Sequence, residues 1–197
     1  MRLNSARQAW HDCMYTPWDS VMAVAVEWAR LGTAVQNSER DRRNQVAMHQ
    51  ALAGHIQQAI GSLPAHLQAF GNWLYSPMAD DDHREIAEEL VFVLAQSGGK
   101  RMTAATFERA RYVAAGVLFR YRRQHQGGQS AGVDPLPSAE AFRGWLVAKY
   151  GVGLDSRNWA RDWEEFVDAC FAACNDLDRK ALAPVSVALR ELCEEAA

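Results

Sequence analysis

The apolar residues of this 197-residue chain recur mostly at intervals of three and four positions. That spacing places side chains on one face of an α-helix, and no stretch shows the apolar–polar alternation of a β-strand. The pattern predicts an all-α protein. The predicted helices cover residues 18–35, 39–60, 64–75, 82–96, 103–124, 139–150, 157–175 and 178–194.

The helical pattern is interrupted most clearly by "QGGQSAGVDPLPS" at residues 126–138. Gly, Pro and Ser are typical of connecting segments, so residues 127–138 are predicted to be a linker. It would join a helical domain, residues 1–126, to a smaller C-terminal helical region, residues 139–197. That region is rich in aromatic residues, which either build a small core of their own or form a protein interface. They are Trp145, Tyr150, Trp159 and Trp163.

Positive charge is concentrated in the predicted helix 103–124 and in the turn before it. Residues 100–123 contain seven Lys or Arg and one acid, Glu108, which makes this segment +6 in a chain of net charge −3. The rest of the chain therefore carries −9. Such segregation indicates an anionic partner at one place on the surface.

On a helical wheel the segment 103–125 separates into two faces. One face is an apolar stripe that should contact the core. Arg109, Arg120 and Arg123 fall together on the opposite face, with Gly116 between them, and Arg111 and Arg122 lie near the edge of the stripe. The stripe consists of Phe107, Ala110, Ala114, Val117, Leu118 and Tyr121.

A helix, a Gly-Gly turn and a second, basic helix follow one another over residues 84–123, which predicts a helix-turn-helix-like unit. The second helix of that motif enters the DNA major groove with its N-terminus, where Lys and Arg neutralise phosphates. An RNA, an acidic protein or a solvated face without a partner are the alternatives. The predicted DNA-binding residues are Lys100, Arg101, Thr103, Arg109, Arg111, Arg120, Arg122 and Arg123.

Sequence motifs for catalysis, nucleotide binding or metal binding are weaker or absent. The common nucleotide-binding, esterase and zinc-protease motifs do not occur. The acids at 80–82 suit a helix N-terminus, and a metal-dependent nuclease site with His83 is the alternative. Cys170 and Cys174 suit buried thiols, and a metal site with Cys13, Cys193 or His11 is the alternative. The prediction is a protein that is not an enzyme and uses no metal or cofactor.

No window of the sequence approaches the run of about 18 apolar residues that a membrane span requires. The first residues, "MRLNSARQAW", also lack the apolar stretch of a signal peptide. We therefore expect a cytoplasmic protein without a membrane partner.

The stretch "LPAHLQAFGNWLYSPMADDDHREIAEEL" and the basic helix after it, residues 63–125, resemble phage late-gene antiterminators of the Q type, in the branch found in Pseudomonas phages. The resemblance implies binding to promoter-proximal duplex DNA in a bacterial host cell. It also implies loading onto RNA polymerase with its sigma factor, and readthrough of terminators. Some Q-type proteins carry a zinc finger, and this chain lacks the cysteine pairs for one, so the resemblance implies a zinc-free branch, with another family as the alternative.

A second hypothesis belongs to a different class of protein. A phage DNA-packaging or replication accessory protein, such as a small terminase subunit, would also present a basic helix to DNA. Such proteins usually form rings through coiled helices, so the size of the particle in solution separates the two hypotheses.

Overall fold

In a computed structural model of the chain, residues 5–15, 39–97, 102–125 and 134–195 are described. They form seven α-helices and one short π-helical segment and contain no β-strand, which confirms the all-α prediction. The α-helices are α1 (Ala6–Asp12), α2 (Glu39–Gly61), α3 (Ala65–Tyr75), α4 (Asp81–Ser97), α5 (Ala104–His125), α6 (Ala139–Tyr150) and α7 (Glu165–Glu195), and the π-helical segment is Ala160–Glu164.

Local signals in the sequence account for the helix ends. Asp80 caps α4, because its carboxylate accepts a hydrogen bond from the His83 backbone N–H at 3.0 Å. Thr103 caps α5 in the same way, with its hydroxyl 3.3 Å from the Thr106 backbone nitrogen. Gly151 ends α6 in the left-handed region at φ 68°, a conformation that glycine adopts without strain. The acidic run at 80–82 thus serves the start of a helix.

Helix α7 is the centre of the fold and packs against α1, α2, α3, α4 and α5. The sequence pattern predicts two helices here, over 157–175 and 178–194, and that prediction is wrong. The polar residues Asn175 and Asp178 resemble a break in the pattern, but the helix runs through them without interruption. Pro184 also lies inside α7, although proline removes one intrahelical hydrogen bond.

Helix α1 was not predicted, since seven residues are too few to show a periodicity. Its indole Trp10 is fully buried and donates a hydrogen bond from Nε1 to Oδ1 of Asn72 at 3.1 Å. The neighbouring Gly71 leaves the space that the indole occupies. A single buried tryptophan thus anchors α1 on α3. The predicted helix 18–35 lies outside the described residues.

One continuous set of buried side chains, from Ala9 in α1 to Leu189 in α7, forms the core. It includes residues on both sides of the segment predicted as a linker, so the two predicted parts share a single core. Helix α6 adds to the surface of this core by packing on α5. Among the described residues, no helix combines the length and the apolar composition needed to cross a bilayer.

The thiols of Cys170 and Cys174 are buried in α7, as the sequence predicts, and burial raises the pKa of both. Cys13 is buried after α1 and Cys193 is exposed near the end of α7. Within the described ranges, no group of three or more His, Cys, Asp or Glu side chains is arranged to hold a metal ion.

Candidate nucleic-acid interface

The apolar stripe of α5 lies where the helical wheel predicts it. Five of its six residues are buried, and Phe107 packs against the core from a partly buried position. Burial is wider than the stripe, however, because all residues from 113 to 118 are buried. The middle of α5 is therefore covered on every side, and only its ends reach the surface.

Helix α6 covers the centre of the face on which the sequence predicts Arg109, Arg120 and Arg123, with Gly116 between them. A Cβ placed on Gly116 would lie 2.7 Å from Cζ of Phe142 and 3.2 Å from Cζ3 of Trp145. Trp145 also stacks on Phe119 with ring centroids 4.9 Å apart. The predicted basic face is thus interrupted at its centre, since a wheel gives the direction of a side chain but not the neighbour that covers it.

We expect Gly116→Ala to lower the free energy of unfolding by about 1–3 kcal/mol, because the added methyl group displaces the Phe142 ring. Gly54→Ala is the matched control, since Gly54 lies inside α2 with no atom within 4 Å of an added Cβ. That change should stabilise the protein by about 0.5–1 kcal/mol. Urea denaturation measures both. Equal stabilisation by the two changes would contradict the docking of α6 on α5.

Three of the predicted DNA-binding arginines have partners within the protein. Arg120 donates to the Asp134 carboxylate with Nε at 2.9 Å and Nη2 at 2.5 Å, and this pairing lowers the pKa of Asp134. Arg111 pairs with Glu89 at 2.6 Å. The guanidinium of Arg122 lies 3.8 Å from the ring centroid of Trp73.

The environment of Arg122 is partly buried. Burial, followed by the charge of the adjacent Arg123, lowers the pKa of its guanidinium. Its Nε and the Trp73 Nε1 are both buried, and neither has a hydrogen-bond partner in the described part of the chain. Arg122 therefore covers the tryptophan ring with its planar group, in a cation–π arrangement.

Two predicted arginines remain exposed without an acidic partner in the described part of the chain, Arg109 and Arg123. They are 14 positions apart, which corresponds to about 21 Å along the helix axis. Thr103 is exposed at the start of α5 as its N-cap. Lys100 and Arg101 lie outside the described residues, as do Gly98 and Gly99 before them in the turn between α4 and α5, and the helix-turn-helix-like unit stays a prediction.

A buried polar cluster that joins four helices was not predicted from the sequence. The carboxylate of Asp178 in α7, with 4% of its side chain exposed, accepts hydrogen bonds from Arg7 at 2.7 Å, Tyr75 at 2.6 Å and Tyr121 at 3.1 Å. Tyr121 also lies 3.1 Å from Oδ1 of Asn175. No local pattern marks these residues, because their partners come from α1, α3 and α5. The cluster satisfies a buried charge and thereby sets how the helices pack.

The aromatic residues of the C-terminal region mostly pack on neighbouring helices. Tyr150 lies 5.0 Å from Tyr112 of α5, and Trp159 lies 5.7 Å from Phe142, measured between ring centroids. Trp163 is buried. These contacts attach α6 to α5, and the start of the π-helical segment to α6.

The chain was also compared with known protein families, with curated proteins and with solved structures. No family, no curated protein and no solved structure matches it.

Proposed function

We propose that the protein is a DNA-binding transcription regulator that acts by antitermination. The observation that carries the DNA-binding part is Arg109, which is exposed on the first half of α5 and has no acidic partner in the described residues. Thr103 lies on the preceding turns, and Lys100 and Arg101 precede it in the sequence. These residues together favour an anionic ligand at the N-terminal end of α5.

Duplex DNA is the ligand that this end of α5 suits best. Recognition helices of helix-turn-helix proteins approach the major groove N-terminus first. Exposure of Thr103, Glu108 and Arg109 next to a buried middle section is compatible with that approach. The proposed contacts are Lys100, Arg101, Thr103 and Arg109, because Arg111, Arg120 and Arg122 have partners within the protein.

The antitermination part rests on the resemblance of residues 63–125 to Q-type regulators. Promoter-proximal DNA and RNA polymerase with its sigma factor are the proposed partners. The charge distribution supports a division of roles, because the chain outside residues 100–123 carries −9 and would be repelled by DNA. Surfaces away from the start of α5 are then free to contact polymerase.

We expect Arg109→Ala to weaken binding to a fluorescein-labelled duplex and to reduce the slope of log affinity against log salt by about 0.9, the value for one phosphate contact. Arg120→Ala should leave the slope unchanged and lower the free energy of unfolding by about 1–2 kcal/mol, since it removes the partner of Asp134. Fluorescence anisotropy at several salt concentrations and urea denaturation measure the two effects. If Arg120→Ala reduces the salt slope and Arg109→Ala leaves it unchanged, the proposed interface is wrong.

Transcription with purified host polymerase tests antitermination directly. The template carries the cognate promoter site and a downstream terminator, and a second template lacks the site. Added protein should raise readthrough only on the first template. Unchanged readthrough with the DNA demonstrably occupied would exclude antitermination and leave a DNA-binding or packaging role.

A further inference from the structure

A groove of about 700 Å³ opens between the end of α4, the start of α5, the π-helical segment and α7. We call it the α4–α5–α7 groove. Its walls include Leu94, Met102, Arg109, Trp163, Phe166 and Ala169. The volume falls within the range of about 300–1,000 Å³ that is typical of small-molecule sites.

Half of the residues that line the groove are apolar, and the other half are polar or charged. Trp163 and Phe166 belong to the apolar part of the lining and are each 6% exposed, so a small part of each side chain reaches the groove. Leu94 at its edge is 39% exposed, which leaves apolar surface in water. Sites for small molecules are mostly apolar with a few polar groups that orient the ligand. An apolar ligand would cover the exposed part of Leu94.

One wall of the groove is the π-helical segment Ala160–Glu164. This conformation accounts for well under 1% of residues in proteins, and it occurs often at functional sites. Here it brings Arg161, Asp162 and Trp163 to the groove. The rare backbone conformation and the cavity therefore coincide in one place.

The charged groups around the groove differ in whether they have partners. Asp162 pairs with Arg161 at 2.7 Å, and Asp176 pairs with Lys180 at 2.5 Å. Asp155 accepts a hydrogen bond from a backbone N–H at 2.9 Å, and Glu165 also interacts with another residue. Arg109 has no such partner in the described part of the chain, so an incoming anion does not have to displace one.

We infer that the α4–α5–α7 groove binds a small aromatic carboxylate, with the rings against Trp163 and Phe166 and the carboxylate paired with Arg109. Guanidinium and carboxylate groups form two parallel hydrogen bonds, and this geometry orients the ligand. The inference goes beyond the proposed function but uses the same side chain, so DNA and the carboxylate would compete for Arg109. A failure to bind DNA would leave it intact, because its test measures ligand binding directly.

Isothermal titration calorimetry with 2-naphthoate and its neutral analogue 2-naphthamide tests the inference. We expect the carboxylate to bind about tenfold more tightly than the amide, because the free energy of a hydrogen bond to a charged group corresponds to about this ratio of affinities. Arg109→Gln should reduce the affinity for 2-naphthoate about tenfold and leave that for the amide unchanged. Ala172→Leu, at an exposed position lining the groove, should abolish binding of both compounds.

Arg123→Gln is the matched control, since Arg123 is exposed on the same helix and does not line the groove. It should leave both affinities unchanged, and circular dichroism should show the same fold for every variant. The inference is wrong if neither compound binds, if the two bind equally, or if Arg109→Gln has no effect on 2-naphthoate.

Discussion

Trp10→Ala should lower the free energy of unfolding by about 3–5 kcal/mol, the range for removal of a large buried aromatic side chain. Trp10 is 0% exposed, and its hydrogen bond to Asn72 joins the short helix α1 to α3. The change would leave a cavity and remove the donor that bonds to Asn72. Urea denaturation followed by far-ultraviolet circular dichroism measures the loss.

Gly71→Ala provides the control for the location of the Trp10 ring. A Cβ at position 71 would lie 2.9 Å from Cζ3 of Trp10, with two other ring atoms closer still. The single change should cost about 1–3 kcal/mol in the wild-type background. In the Trp10→Ala background it should be neutral or stabilising by about 0.5–1 kcal/mol, because the methyl group then enters empty space. Additive effects of the two changes would show that the ring does not lie against Gly71.

Asp178→Ala is expected to lower the free energy of unfolding by about 3 kcal/mol. Removing one partner of a buried ion pair typically costs 3–5 kcal/mol, and the lower end applies because 34% of the Arg7 side chain is exposed. The change would also leave the hydroxyl groups of Tyr75 and Tyr121 without their acceptor on Asp178. Thermal and urea denaturation both report the effect.

The control for Asp178→Ala is Asp176→Ala, two positions earlier on the same helix. Asp176 pairs with Arg179 and Lys180 on the surface, so its removal should produce no measurable change in the unfolding midpoint. Similar losses for both variants would mean that the position of Asp178 in the core contributes nothing.

The same cluster predicts how stability depends on pH. Burial, and then the Asp178 carboxylate, raises the pKa of Tyr75 and Tyr121 above their ordinary value of 10.0. Both hydroxyl groups thus stay protonated in the folded protein where they would ionise in the unfolded chain. Their contribution is fully present below pH 10 and is lost as the pH rises above it. Tyr75→Phe should reduce the loss of stability at high pH. If the stability of Tyr75→Phe depends on pH as that of the wild type does, the prediction is wrong.

The apolar periodicity of the sequence was sufficient to predict most of the helices. The predicted ranges 39–60, 82–96 and 139–150 correspond to α2, α4 and α6 within one residue at either end. Periodicity and capping residues act within a few positions of the chain, so they can be recognised without knowledge of the fold. The apolar stripe of α5 was predictable for the same reason.

The accessibility of the basic residues on α5 depended on the tertiary structure. The sequence alone identified the concentration of charge in residues 100–123. It could not show that Arg111 meets Glu89, that Arg120 meets Asp134, or that Arg122 lies on Trp73. These partners are 14 to 49 positions away along the chain, and only packing brings them together. Arg109 is the main candidate contact because it has no acidic partner among the described residues.

The polar residues of α7 also show the difference between what the sequence predicts and what the tertiary structure decides. In the sequence Asn175 and Asp178 resemble the end of one helix and the start of another, since polar side chains interrupt an apolar face. In the folded chain Asp178 lies among donors from α1, α3 and α5, which satisfy its charge and allow the helix to continue. The sequence thus determined the helical character and the distribution of charge. The tertiary structure decided which polar groups are buried and which remain exposed, because burial depends on neighbours that are distant in the chain.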